Sequence, residues 1–396
     1  MVSKKIEVSK RLGSLGAYAF AEVDRLANEL RAAGVPVIDF GVGDPTDPTP
    51  ELVREACRHA VHERASAGYP PYIGVPEFRK AAAAWMKRRF GLALDPQTEV
   101  TSTIGSKEAV FHLPLAFLNP GDVVLVPTPG YPPYQRGTLF AGGTSHFLPL
   151  TPSNGFLPDL DGIPKTVLRK AKILWINYPN SPSGRVAPPA FFEKAVAFCR
   201  DRGILLASDE AYSEIYFGDP PRCALEWGRE GVLSVFSMSK RSAMTNYRAG
   251  WVCGDKAAVA AFRKVKTNID SGTPSFIQDA AIGALADEAH VAVMREAYRR
   301  KRDILCAAFR DAGFPDSTPE ATLYVWQQLP PGTGSVEFCK RMLDPKVGIV
   351  ATPGAWISDA VDGANPGENF VRFALVPTVA EVEEAGKRIR KMLRMT

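Results

Sequence analysis

The chain has 396 residues, more than one hydrophobic core usually encloses, so a large and a small unit are expected. Apolar residues make up 45% and charged residues 23%, as in an ordinary soluble globular protein, and the net charge of +5 is too modest and dispersed to call for a nucleic-acid partner. The six cysteines (Cys57, Cys199, Cys223, Cys253, Cys306, Cys339) form no Cys-x-x-Cys pair, which argues against zinc and a disulfide framework and fits a reducing cytoplasm.

Met1 to Gly13 is charged and has no apolar signal core, and no segment approaches the apolar length that crosses a bilayer. His59 and His62 can share a helix face, but no acidic or cysteine ligand accompanies them, so no metal site is expected. Val123 to Val126 reads as a buried strand, followed by a turn-rich stretch through Pro133. Ile173 to Asn177 is a second strand. Pro189 to Arg202 has helical spacing, with Phe192, Val196 and Cys199 on one face. Ile204 to Asp209 and Val232 to Phe236 follow as strands three and four. Continuous apolar strands separated by helices predict an α/β unit whose mostly parallel sheet is covered on both faces. Ligands of such sheets bind beyond the carboxyl ends of the strands, where Asn177, Asp209 and Ser237 lie.

The last third differs. A charged helix is expected over Val291 to Ala312, then strands at Thr322 to Trp326, Gly348 to Ala351 and Val371 to Val376. The final helix opens with a capping box, Thr378-x-x-Glu381, and keeps Val379, Val382, Ala385 and Ile389 on one stripe. The basic runs Arg299 to Arg302 and Arg388 to Arg394 read as solvated helix faces. The expected division is a segment 1–43 packing with a smaller α+β unit 291–396, and a large unit 44–290.

Lys240 stands just beyond the fourth strand, in Ser237-Met238-Ser239-Lys240, with Arg248 eight positions on. A lysine at a strand end can form a Schiff base with an aldehyde once its ammonium is easier to deprotonate. An arginine among hydroxyls suits a phosphate. Together they suggest pyridoxal phosphate, although taken alone the pair fits a polar surface loop equally well. Further pieces suit that cofactor. Gly105, Ser106 and Lys107 open a helix whose backbone amides can approach a phosphate. Asp209 offers a carboxylate to a protonated pyridine nitrogen, which the ring needs as an electron sink. Tyr212 can donate to the ring hydroxyl and Tyr131 can face the ring. Arg372 interrupts an apolar strand, where bidentate capture of a substrate carboxylate is its natural use.

Seven stretches in order carry a resemblance over essentially the whole chain: Gly41 to Pro45, Tyr69 to Glu77, Gly105 to Glu108, Asn177 to Gly184, Ser208 to Tyr212, Ser237 to Lys240, and Arg372. The chain resembles the fold-type I, pyridoxal-phosphate-dependent aminotransferases of class I/II, and within them, on the runs Tyr69 to Arg79, Ile104 to Glu108, Leu115 to Asp122 and Asn154 to Leu160, it resembles the LL-diaminopimelate aminotransferases. The resemblance implies a transaminase in which Lys240 carries the Schiff base and moves the proton. It implies that Asp209 holds the pyridinium and Tyr212 the ring oxygen, and that Ser106, Lys107, Ser237, Ser239 and Arg248 hold the phosphate. Arg372 and the Gly43 backbone would take the α-carboxylate. Tyr69 would reach the phosphate of the neighbouring subunit, implying a homodimer.

One position departs from the family pattern Pro-Asn-Asn-Pro-Thr-Gly: its second asparagine, a donor to the ring oxygen, is Ser181 here. A shorter donor predicts a Schiff base more protonated at neutral pH than is usual in the family. Asn246 and Tyr247 also replace the Gly and Trp common before the phosphate arginine. Another reaction of the same cofactor (a carbon–sulfur lyase, cyclase or oxidase) and a non-catalytic binding module remain the alternatives.

Overall fold

The computed structural model describes residues 6–15 and 21–393. Residues 1–5 and 16–20 of the expected N-terminal segment, and Arg394 of the last basic run, lie outside the described residues. In chain order the strands are β1 (Ile38–Asp39), β2 (Val100–Thr103), β3 (Val123–Thr128), β4 (Thr144–Pro149), β5 (Ala171–Asn177), β6 (Leu205–Asp209), β7 (Val232–Ser237), β8 (Gly250–Gly254), β9 (Tyr324–Gln328), β10 (Ile349–Val350), β11 (Thr352–Pro353) and β12 (Phe370–Ala374).

Seven of them form one sheet in the order β2-β8-β7-β6-β5-β3-β4. All its pairings are parallel except those of β8, which runs against both β2 and β7. Both faces are buried, as the uninterrupted apolar runs require. Along β5, Ile173 and Trp175 enter one core while Leu174 and Ile176 enter the other. The first core is closed by the Ser106–Phe117 and Lys256–Lys266 helices, through Ala109, Val110, Leu113, Val259 and Phe262. The second is closed by the Pro76–Phe90, Pro189–Arg200 and Ser275–Ala286 helices. Proline sits at the first positions of Pro76–Phe90 and Pro189–Arg200, where its missing N–H costs no helical bond.

The four strands expected in this sheet are present; Asn177, the last residue of β5, pairs in register with Asp209, the last of β6, and Asp209 with Val235, two residues before the end of β7. Three of its strands were not foreseen. β2 is Thr/Ser-rich, β4 is a part-exposed edge, and β8 is bounded by glycines, so none shows an apolar run.

A third core unites Ile38 and Phe40 with the C-terminal third, including Leu305, Phe309, Val371, Phe373, Val382, Ala385 and Ile389; Ile215 and Phe217 join it from the middle of the chain. Its strands are the antiparallel set β11-β12-β9 and the parallel pair β1-β10. The strand expected from Thr322 begins two residues later because Thr322 has a positive φ of 72°, and the one expected over 348–351 is shortened to β10, with β11 following beyond it. The capping box forms: the Thr378 amide donates to Glu381 (2.7 Å) and the Glu381 amide to Thr378 Oγ1 (3.3 Å). The expectation of a solvated face over Arg299 to Arg302 fails at Lys301, whose side chain is 2% exposed and donates to Asp47 from beside the Tyr298 ring. A cation that far from water needs a partner, and the partner comes from a segment distant in sequence.

Candidate active site

At the carboxyl ends of β5, β6 and β7 lies a cavity of about 620 Å³. Gly43, Ser106, Lys107, Tyr131, Ser181, Asp209, Tyr212, Ser237, Ser239, Lys240, Arg248 and Arg372 all line it, so twelve residues singled out in the sequence converge. Gly105 lies beside its wall, under Arg248. Tyr69 is not among the lining residues; it is 88% exposed on the surface.

Lys240 is presented by a short helical turn, Met238–Arg241, that continues directly from β7. Ser237 Oγ caps that turn by accepting from the Ser239 amide at 3.1 Å. The Lys240 ammonium donates to the Gly43 carbonyl at 2.5 Å. Burial lowers its pKa from the ordinary lysine value, against a smaller upward pull from Tyr324 and Asp44. Desolvation disfavours the ammonium, so the neutral amine is reached at lower pH than on a surface lysine.

Asp209 ends β6 and is buried. Burial pushes its carboxyl up to about 6, while donation from Tyr134 Oη (2.8 Å) and the Ala211 amide (3.1 Å) holds it lower than burial alone would. At neutral pH it is therefore ionised in a place that favours a neutral group, a position that invites a cation. Asn177 donates to the Asp209 carbonyl (2.8 Å) and accepts from the Ser181 amide (2.8 Å), so its amide is committed to holding the two strand-end segments together.

On the opposite wall, β9 and β12 supply Tyr324 and Arg372. Tyr324 Oη lies 3.2 Å from Tyr212 Oη. The Arg372 guanidinium sits 4.7 Å from the Tyr324 ring centre and donates through Nη2 to the Gly41 carbonyl at 2.9 Å. Its Nε is buried and has no hydrogen-bond partner among the described residues. A buried guanidinium N–H without an acceptor is costly, and a carboxylate would satisfy it. Gly43 leaves room for the tyrosine: a Cβ there would collide with Tyr324 Oη and force that side chain to shift.

An anion has a place as well. The Ser106–Phe117 helix begins at the cavity wall with no side-chain cap, because Gly105, at φ 70°, is its N-cap. Its first amides are open, and the helix end favours negative charge. Arg248, itself at φ 54°, is steadied by donation to the Thr245 carbonyl at 2.8 Å. Its guanidinium overlies Gly105, where a Cβ would come within 2.5 Å of Nη2. A group combining a phosphate, a basic ring nitrogen and an aldehyde fits this donor set: open amides with Arg248 for the first, Asp209 for the second and Lys240 for the third.

Sequence reasoning did not assign roles to Tyr134, Tyr324 or Asp44, which also line the cavity. Tyr134 lies in the Pro133–Phe140 helix and stacks on Trp175 at 4.8 Å. Its position three residues after Tyr131, just past a stretch read as a turn, was the available signal. For Tyr324 the signal was weaker, since the strand register that sets it near Arg372 is not visible in either segment.

The family model for aminotransferase class I and II matches residues 35–389. The LL-diaminopimelate aminotransferase 2 of Trichormus variabilis is 45% identical over 390 residues, covering 97% of this chain and 98% of that protein. The LL-diaminopimelate aminotransferase of Aquifex aeolicus is 45% identical over 392 residues, covering 98% and 99%. Among solved structures, a single mutant of the aspartate aminotransferase of Thermus thermophilus superposes with a TM-score of 0.90 at 29% identity, covering 98% of this chain and 100% of that one.

Proposed function

The chain belongs to the class I and II aminotransferases, and we propose that its cavity binds pyridoxal 5′-phosphate and takes LL-diaminopimelate, or another dicarboxylic amino acid, as amino donor to a 2-oxo acid. The observation that carries this reading is the convergence of desolvated Lys240, buried Asp209 and under-satisfied Arg372 on one cavity. The diaminopimelate assignment is supported by relatives of that name at 45% identity over nearly the full length.

The division of labour follows from the donors. The Ser106 and Lys107 amides, Ser237, Ser239 and Arg248 would hold the phosphate. Asp209 would face the ring nitrogen, Tyr131 the ring, and Tyr212 with Ser181 the ring oxygen. When bound, the cofactor supplies an aldehyde that takes up the amino group and a protonated ring that draws electrons from the substrate's α-carbon. Arg372 orients the substrate by its α-carboxylate, so that the α-hydrogen faces Lys240. The Lys240 amine, depressed in basicity by burial, would take the proton from the substrate's α-carbon and later give it back. Asp209 stays ionised because the cation opposite it offsets the burial that otherwise raises its pKa.

The same reading takes residues 44–290 as the cofactor-holding unit and 1–43 with 291–396 as the smaller one, which contributes Arg372 and Tyr324. It also takes the protein as a cytoplasmic homodimer. Support comes from six unpaired cysteines and from Tyr69, exposed where a second subunit could receive it. No helix among the described residues is long and apolar enough to cross a membrane.

The test is a half-reaction. Cofactor-loaded enzyme is mixed with single amino acids without an acceptor, and conversion of the cofactor to its amine form is followed by absorbance. LL-diaminopimelate is expected to convert it fastest, and Lys240→Ala not at all. Faster conversion by aspartate or glutamate replaces diaminopimelate with another dicarboxylic donor, and faster conversion by an aromatic acid overturns the donor assignment; turnover by Lys240→Ala overturns the site.

A further inference from the structure

Behind the wall that holds the open helix end lies a buried ion cluster with no assigned role. Lys266, the last residue of the Lys256–Lys266 helix, is 0% exposed and donates to both Glu108 oxygens (3.0 Å each) and to Asp270 Oδ1 (2.7 Å). Glu108 stands in the first turn of the Ser106–Phe117 helix and reaches back, its Oε2 accepting from the Ile104 amide at 2.6 Å. That contact fixes the residue preceding Gly105. Asp270 also accepts from the Gly272 amide at 2.7 Å. Its neighbour Thr273 donates to the Thr103 carbonyl at 3.0 Å, at the end of β2. Gln278 then bridges onward, donating to the Thr273 carbonyl (2.7 Å) and accepting from the Val75 amide (2.8 Å).

The ligand atoms of Glu108, His112 and Asp270 lie within 4.8 Å of one another, close enough for a metal ion, but the Lys266 ammonium already occupies the space between the two carboxylates. It acts as a built-in cation. Burying three charges is a poor route to stability, since desolvation consumes most of the attraction. Its effect is instead geometric: it fixes the 104–107 turn from behind while leaving the front of that turn free.

Resting on the reading of that turn as a phosphate cradle, we propose that Lys266 is a positioning residue for the cofactor phosphate, acting through Glu108 on the Ile104–Lys107 backbone and through Asp270 on the 272–278 segment that braces Val75. Without the ammonium, Glu108 and Asp270 repel one another, Glu108 releases the Ile104 amide, and the helix-end amides no longer converge with Arg248. The loss falls on the phosphate and spares the ring.

The test compares binding of pyridoxal 5′-phosphate and of pyridoxal, which lacks the phosphate, to apoproteins by quenching of intrinsic fluorescence. Lys266→Met is expected to raise the pyridoxal 5′-phosphate dissociation constant about tenfold or more, the scale of one misaligned charge-assisted hydrogen bond, while that of pyridoxal stays nearly unchanged. Lys266→Arg, which keeps the cation, restores part of the difference. Should Lys266→Met not fold, Glu108→Gln decides: it keeps the side chain's shape, removes the charge and is expected to shift the two ligands in the same selective way. Equal changes for both ligands, or none for either, overturn the proposal. Failure of wild-type apoprotein to prefer the phosphorylated ligand overturns the cradle itself, a separate outcome.

Discussion

Asp209→Asn isolates the electrostatic cost of the site. The carboxyl is fully buried, and its pKa rises from 3.8 to about 6 because desolvation outweighs the donors Tyr134 and Ala211. The folded state therefore holds the proton more tightly than the unfolded chain. Below about pH 4 both states are protonated and nothing is lost. As pH rises towards 6 the unfolded chain ionises freely while the folded one resists, and stability falls; above 6 the loss is complete. At about 1.4 kcal/mol for each factor of ten in the ionisation constant, it amounts to about 3 kcal/mol at pH 7. Asparagine has nearly the same shape, keeps an acceptor for the Ala211 amide and offers Tyr134 Oη a donor, so the variant removes charge with little else. The assay is urea unfolding of the two apoproteins from pH 4 to 7.5. The variant is expected to be more stable by about 3 kcal/mol at pH 7, with the gap closing towards pH 4. A gap of constant size across that range, or a less stable variant at pH 7, would refute the reasoning. Added cofactor should reverse the order, since its ring cation stabilises only the carboxylate.

Three further outcomes follow from the same geometry. Tyr134→Phe keeps the stack on Trp175 but deletes a hydrogen bond to a charged group worth about 1.5–3 kcal/mol; cofactor affinity measured by titration should fall at least about tenfold. Gly43→Ala forces a methyl against Tyr324 Oη and disturbs the carbonyl that Lys240 donates to, so kcat/KM should drop by about one to two orders of magnitude while the fold survives. Ser181→Asn lengthens the donor beside the ring oxygen; the pH midpoint of the cofactor's absorbance change in the holoenzyme should move down relative to wild type, and an unmoved midpoint removes Ser181 from that role.

Much of the site was legible because its residues sit at ends of apolar runs. Asp209 and Ser237 close β6 and β7, and their chemistry is local to those ends. Arg372 was legible as a cation inside a strand pattern, although what it faces was not. Tyr324 and Tyr134 were missed because their significance depends on register and on the packing of one element over another, which no single stretch encodes. The glycine-bounded β8 was hidden for a related reason: a strand paired on both sides in a buried sheet is held by its neighbours more than by its own propensity, and the Thr/Ser-rich β2, an edge strand paired with β8 alone, has no apolar run to read.

One physical condition links the proposed catalytic groups. The cavity withdraws water from Asp209 and Lys240 alike, which raises the acid's pKa and lowers the amine's. The directions are opposite because the charges are, yet each is what amino transfer requires: a carboxylate poised to accept a cationic partner and an amine that gives up its proton more readily than a surface lysine. The same burial leaves Arg372 Nε without an acceptor and the helix end at Gly105 without a cap. The fold thus carries several electrostatic demands at once, complementary in sign and place to a phosphate, a ring cation and a carboxylate. Binding that meets them together must stabilise the fold, and so the gain in unfolding free energy on adding cofactor is a second measurement of the affinity.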